Sequence, residues 1–146
     1  MEHESRPMQA LSALAPATGA IAISVPADPD YLAVVRSACA QVGAKLGWGL
    51  AEASDLRLAV DEACGLLLRH AITARSDEED ANLQCRFTVS PSTLRVAVSL
   101  RAEGFTSPDT RDFGWTIVTA LVDDFTWNSD GPTARVEIVK HRAAAG

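Results

Sequence analysis

Apolar positions along the chain fall into two periods, one of about two residues and one of three to four. The run Ile21-Ala22-Ile23-Ser24-Val25 is short and β-branched and Pro26 stops it, which predicts a strand at a sheet edge. Asp28 or Asp30 then caps a helix in which Tyr31, Leu32, Val34, Val35, Ala38, Cys39 and Val42 recur at helical steps. Gly43, Gly47 and Gly49 end that helix in a loop around Trp48, and Ser54 offers a hydroxyl cap to a second one. From Asp55 to about Ala71, the residues Leu56, Ala59, Val60, Ala63, Cys64, Leu67, Leu68 and Ala71 form a broad stripe, so this helix should be central and buried.

Ser76 to Asp80 reads as an acidic turn. Beyond it, residues 83–89 and 94–100 form a hairpin around Ser90-Pro91-Ser92. Residues 101–112 are polar and turn-rich, which predicts an exposed loop. Trp115, Ile117, Val118 and Leu121 give a third helix its apolar face, and Asp123 and Asp124 close it. A strand at 125–127, the turn Ser129-Asp130-Gly131-Pro132 and a strand at 134–139 complete the order. The class is α+β, with helices on one face of a sheet.

Composition narrows this picture. A chain of 146 residues, 47% apolar, fits one domain with a real core. The expected organisation is a flexible leader over residues 1–19, the domain over 20–140 and a frayed tail over 141–146. A formal charge of -6 would repel a phosphate backbone, so no direct nucleic-acid binding is expected, and a basic or mixed-charge protein partner fits better. No apolar stretch reaches the roughly 18 residues a bilayer needs, and residues 1–7 carry acids where a signal peptide carries a basic patch. A cytoplasmic protein without membrane contact is therefore expected. Cys39, Cys64 and Cys85 lack CxxC spacing and read as buried reduced thiols; with only His3, His70 and His141 to join them, no metal site is expected.

The segment Asp55-Leu56-Arg57-Leu58-Ala59-Val60-Asp61-Glu62-Ala63-Cys64 resembles the N box of GHKL ATPases, most nearly that of bacterial anti-sigma serine kinases of the RsbW and SpoIIAB type. The divergent actinobacterial members of the UsfX kind share its Leu-Arg-Leu-Ala-Val-Asp-Glu pattern and the later Trp-x-x-x-Thr-Ala-Leu. The resemblance implies a two-layer sandwich of the Bergerat fold, a mixed sheet covered on one face by three helices. It also implies a carboxylate at Glu62 acting near the phosphates and, one helical turn on, a magnesium-binding Asn. That position is Leu66, which has no oxygen for a hard cation. The family's adenine-reading Asp-x-Gly-x-Gly is similar to Leu100-Arg101-Ala102-Glu103-Gly104, so the carboxylate has become Leu100 and the first glycine Ala102, while Gly104 stays. Its Gly-x-Gly over the phosphates resembles Asp112-Phe113-Gly114. Gly114 remains, and Asp112 brings a negative charge where a triphosphate would lie.

The resemblance thus implies an anti-sigma factor that sequesters an alternative sigma factor, forms a homodimer and is countered by a STAS-domain anti-anti-sigma protein. No cofactor is expected, and ATP with Mg²⁺ only if the altered site still works. Two alternatives stay open: an active Ser/Thr protein kinase acting on the anti-anti-sigma partner, and a small-molecule sensor using the remodelled pocket. Plainer readings stand beside the family roles. Glu62 is a helix-surface acid near Arg57 or Arg69, and His70 complements the helix dipole. Arg36, a sigma-contacting arginine by resemblance, is otherwise a solvated arginine. Trp48, Trp115 and Trp127 are core residues or fillers of a vacated nucleotide pocket.

Overall fold

The computed structural model describes residues 19–72 and 81–142. The acidic turn expected at Ser76 to Asp80, the leader up to residue 18 and residues 143–146 lie outside the described residues. The elements are β1 (Gly19–Pro26), a 3₁₀ turn (Pro29–Tyr31), α1 (Leu32–Lys45), α2 (Leu50–His70), β2 (Ala71–Ile72), β3 (Asn82–Val89), β4 (Thr93–Arg101), β5 (Gly104–Phe105), α3 (Phe113–Leu121), β6 (Asp124–Asp130) and β7 (Thr133–His141).

The main sheet runs β1-β3-β4-β7-β6, so β1 is an edge strand as its closing proline implies. Every pair among its described strands is antiparallel, where the resemblance implied a mixed sheet. The reason lies in the connections: β3-β4 and β6-β7 are tight hairpins, and β4 and β7, which lie side by side, also run in opposite directions. Register sorts the residues into faces. Ile21, Phe87, Val96, Ile138 and Phe125 share one row, and Ile23, Cys85, Val98, Val136 and Trp127 a second row on the same side. Phe87, Val96, Val98, Val136 and Ile138 are fully buried beneath the helices, whereas the intervening row Ala22, Arg86, Ala97, Glu137 and Thr126 points away from them.

Helix α2 is the centre of the helical layer, flanked by α1 and α3. Its stripe of Leu56, Ala59, Val60, Ala63, Cys64 and Leu67 is buried as the periodicity requires, and Leu66 joins it. A fully buried leucine contributes roughly 1.5–3 kcal/mol, so Leu56, Leu66 and Leu67 together outweigh the cost of about 1 kcal/mol for Gly65 within a helix.

Several boundaries differ from the sequence reading. Helix α2 starts at Leu50 rather than after Ser54: the extended Gly49 is its cap residue, and Glu52 reaches back to accept the Gly49 N–H at 3.2 Å. Gly43 lies inside α1, buried where a Cβ would meet that of Ala53 at 3.2 Å, so it serves close helix approach rather than termination. Gly47, at φ +72, makes the turn. The Asp28 carboxylate caps the 3₁₀ turn by accepting from the Asp30 N–H at 2.9 Å. The loop expected at 101–112 contains β5, which pairs with β2. Strand β7 continues to His141, and the Arg142 N–H donates to the Ser92 carbonyl at 2.8 Å.

Candidate functional site

The seam between α2 and α3 gathers Glu62, Leu66 and Gly114 from the residues singled out by sequence. On α2, Glu62 and Leu66 sit one turn apart, and Gly65 and Arg69 run alongside them. Both glycines of the seam give room to one side chain. A Cβ on Gly65 would stand 2.9 Å from Arg69 Nη1; a Cβ on Gly114 would stand 2.8 Å from Glu62 Oε1, 2.9 Å from Arg69 Nη2 and 3.3 Å from Asp112 Oδ1. Two carboxylates and a guanidinium therefore converge on the buried Gly114 in the first turn of α3. Asp112 Oδ1 accepts the Gly114 N–H at 2.8 Å and Arg69 Nη2 at 3.3 Å, which makes it both the cap of α3 and the acidic half of an ion pair to α2.

Leu66, one turn beyond Glu62, is wholly buried, and Leu100 on β4 is nearly so, so both positions present hydrocarbon. Ala102 donates its N–H to the Pro132 carbonyl at 2.8 Å. Gly104 pairs with Ile72 across the small sheet. The segment that follows is tied to the end of α2. The Thr106 N–H donates to the His70 carbonyl at 2.9 Å, and Thr106 Oγ1 lies 2.8 Å from His70 Nδ1. His70 and Phe105 both meet Trp127 edge-on, at ring separations of 5.9 Å and 6.1 Å. The Trp127 Nε1–H is buried and has no hydrogen-bond partner among the described residues.

These segments, in this order and on this sheet, carry a family signature. The sequence profile of the histidine kinase-like ATPase domain matches residues 25–140. The chain belongs to this family. Within it the relatives are of the RsbW type. The Bacillus pumilus serine-protein kinase RsbW is 32% identical over 85 residues, 58% of this chain and 52% of that protein. The Mycobacterium tuberculosis anti-sigma-F factor RsbW is 34% identical over 118 residues, 77% of this chain and 63% of that protein. The chain thus spans about half the length of the Bacillus relatives it matches. Among solved structures, the RsbU and RsbW domains of a Mycobacterium tuberculosis protein superpose with a TM-score of 0.67 at 16% identity, covering 87% of this chain and 34% of that one. The histidine kinase domain of an Erythrobacter litoralis blue-light activated kinase gives 0.56 at 21% identity, covering 80% and 61%. Both likenesses concern the fold.

In this ATPase-family chain the structure brings Glu62, Leu66 and Gly114 to one seam, places Ala102 and Gly104 in the segment leading to it, and leaves Arg36 on α1. Arg36 Nη1 donates to Asp61 Oδ1 at 2.8 Å, so the arginine is tied to α2 while about two-fifths of its side chain stays exposed. His70 has a specific partner in Thr106 in addition to its place at the end of α2. Sequence reasoning missed the Arg69–Asp112 pair. The residues are 43 positions apart, and no local pattern announces such a contact. Among the described residues no set of side chains is arranged to hold a metal ion, and no helix is long and apolar enough to cross a membrane.

Proposed function

We propose that this protein is an anti-sigma factor that binds an alternative sigma factor by surface contact, and that a STAS-domain anti-anti-sigma protein competes it away. The observation that carries the reading is the chemistry of the α2–α3 seam. The donor set does not fit a magnesium-bridged adenine nucleotide: Leu66 has no ligand for a hard cation, and Leu100 has no acceptor for an adenine amino group. The Asp112 carboxylate meets the backbone N–H that would otherwise receive a phosphate. Partner binding is a means of action that such a seam leaves intact. Relatives named anti-sigma-F factor and serine-protein kinase support this direction.

Under this reading the protein is a cytoplasmic homodimer. Affinity comes from a few buried apolar and arginine anchors, Arg36 among them, and release follows when a competitor occupies an overlapping surface. The test is affinity capture from the native cell with the full chain as bait. A sigma factor should copurify without added nucleotide, and capture that yields only unrelated proteins would overturn the proposal.

One observation favours a second reading, that of a working protein kinase. The Glu62 carboxylate still faces the first turn of α3. Calorimetry with ATP and Mg²⁺ separates the two: the anti-sigma reading expects no heat of binding, whereas micromolar affinity with transfer of labelled phosphate to the STAS partner would establish the kinase.

A further inference from the structure

The contacts of Arg69 lead beyond the absence of nucleotide ligands. We infer that Arg69 and Asp112 form a built-in lock that holds α3 against α2: Asp112 supplies, from within the chain, the anion that the seam would otherwise take from a bound phosphate, and Arg69 is its counter-ion. The inference rests on the reading of this seam as the altered nucleotide site, and it is independent of which protein the chain binds.

Three features of the geometry carry it. Asp112 Oδ1 is one oxygen with two partners, the Gly114 N–H at 2.8 Å and Arg69 Nη2 at 3.3 Å, so the same atom caps α3 and bridges to α2. The guanidinium reaches that oxygen along a track kept clear by Gly65 and Gly114, at each of which a Cβ would stand 2.9 Å from an Arg69 nitrogen. Glu62 Oε1 stands 2.8 Å from the same Gly114 Cβ position but makes no ion pair with Arg69, so Asp112 is the guanidinium's one carboxylate partner among the described residues. The helix N-terminus, an anion-seeking element, is thereby satisfied without an external ligand. Arg69 and Asp112 are positioning residues: they fix α3 in its docked place whether or not nucleotide is present.

The test uses amide hydrogen exchange on the full-length protein, comparing wild type with Arg69→Gln, Asp112→Gly and the double variant. Glycine is an accepted cap residue, so Asp112→Gly removes the carboxylate with limited backbone cost. Each single variant should exchange about twofold to fivefold faster over Gly114 to Val118. The double variant should be no faster than the quicker single, as expected of two halves of one contact. Protection of α1 serves as the fold control. Inorganic pyrophosphate without magnesium should then slow exchange in Asp112→Gly, where Arg69 and the helix terminus are left open, and leave wild type unchanged. Wild-type exchange in the singles, additive effects in the double, or equal pyrophosphate responses in wild type and Asp112→Gly would each overturn the lock. None of these outcomes bears on whether a sigma factor copurifies, so failure of the lock and failure of the anti-sigma reading are separable.

Discussion

Single residues in this protein act through their surroundings more than through their own chemistry. Cys39, Cys64 and Cys85 are free and buried, and burial pushes the Cys39 thiol up to about 12 from its ordinary 9.0. For Cys64 the upward shift comes first from its hydrogen bond to Cys85 and then from burial. The consequence for stability has a definite sign. Below pH 9 Cys39 is protonated in both native and unfolded chains. Above it the unfolded chain loses the proton while the native chain keeps it until about 12, so stability falls as pH rises through that window. Urea midpoints between pH 8 and 11 should decline, and Cys39→Ala should flatten the slope; an unchanged slope would refute the assignment. Gly114 is the other residue under tight constraint. Gly114→Ala sets a methyl against Glu62 and Arg69 and should destabilise by about 1–3 kcal/mol, read from urea unfolding. Gly65→Ala should cost less, since its methyl crowds Arg69 alone and the helix regains about 1 kcal/mol of propensity.

Elements show why the family site cannot be restored by one substitution. Leu66 lies on the central helix with no exposed surface, so Leu66→Asn would bury an amide where hydrocarbon now packs. The expected loss is about 2–4 kcal/mol in chemical denaturation, with no gain of magnesium-dependent ATP binding by calorimetry. An Asn variant of wild-type stability that bound ATP would show that the seam is more open than its packing indicates. The small β2-β5 sheet works at the same scale. It fastens the segment after β4 to the end of α2, and the His70–Thr106 contact continues the fastening toward α3. Thr106→Val removes that side-chain partner and should speed amide exchange in β5 while leaving β3 and β4 protected.

At the level of the whole molecule, one side of the antiparallel sheet is packed by helices and the other is covered by no helix among the described residues. That second side carries Arg86, Arg95 and Arg135, with Glu137 paired to the latter two at 3.7 Å and 2.9 Å, on a chain whose formal charge is -6. Unlike the Asp112 carboxylate, that of Glu137 caps no helix, and such exposed pairs by themselves contribute little stability. The proposed homodimer is checked by sedimentation equilibrium, where twice the chain mass is expected and a monomer at every concentration would sink it.

The amino-acid sequence by itself determined the three helices and the five strands of the main sheet, because apolar periodicity encodes which face of each is buried. It set the central place of the Leu56 to Leu67 stripe, the buried state of the three thiols, the edge position of the strand ending at Pro26, and the order of segments that marks the family. It also placed hydrocarbon at 66 and 100, a fact of residue identity. Tertiary structure alone decided the start of the second helix at Leu50, where a glycine and a returning Glu52 replaced the expected hydroxyl cap. It alone paired residues 71–72 with 104–105, strands too short to carry a period of their own. It alone turned Asp112 from an isolated repulsive charge into the partner of Arg69. The physical reason is common to all three. Periodicity reports a residue's burial relative to its own element, whereas caps, short ladders and ion pairs depend on which distant groups the packed core brings within hydrogen-bond reach.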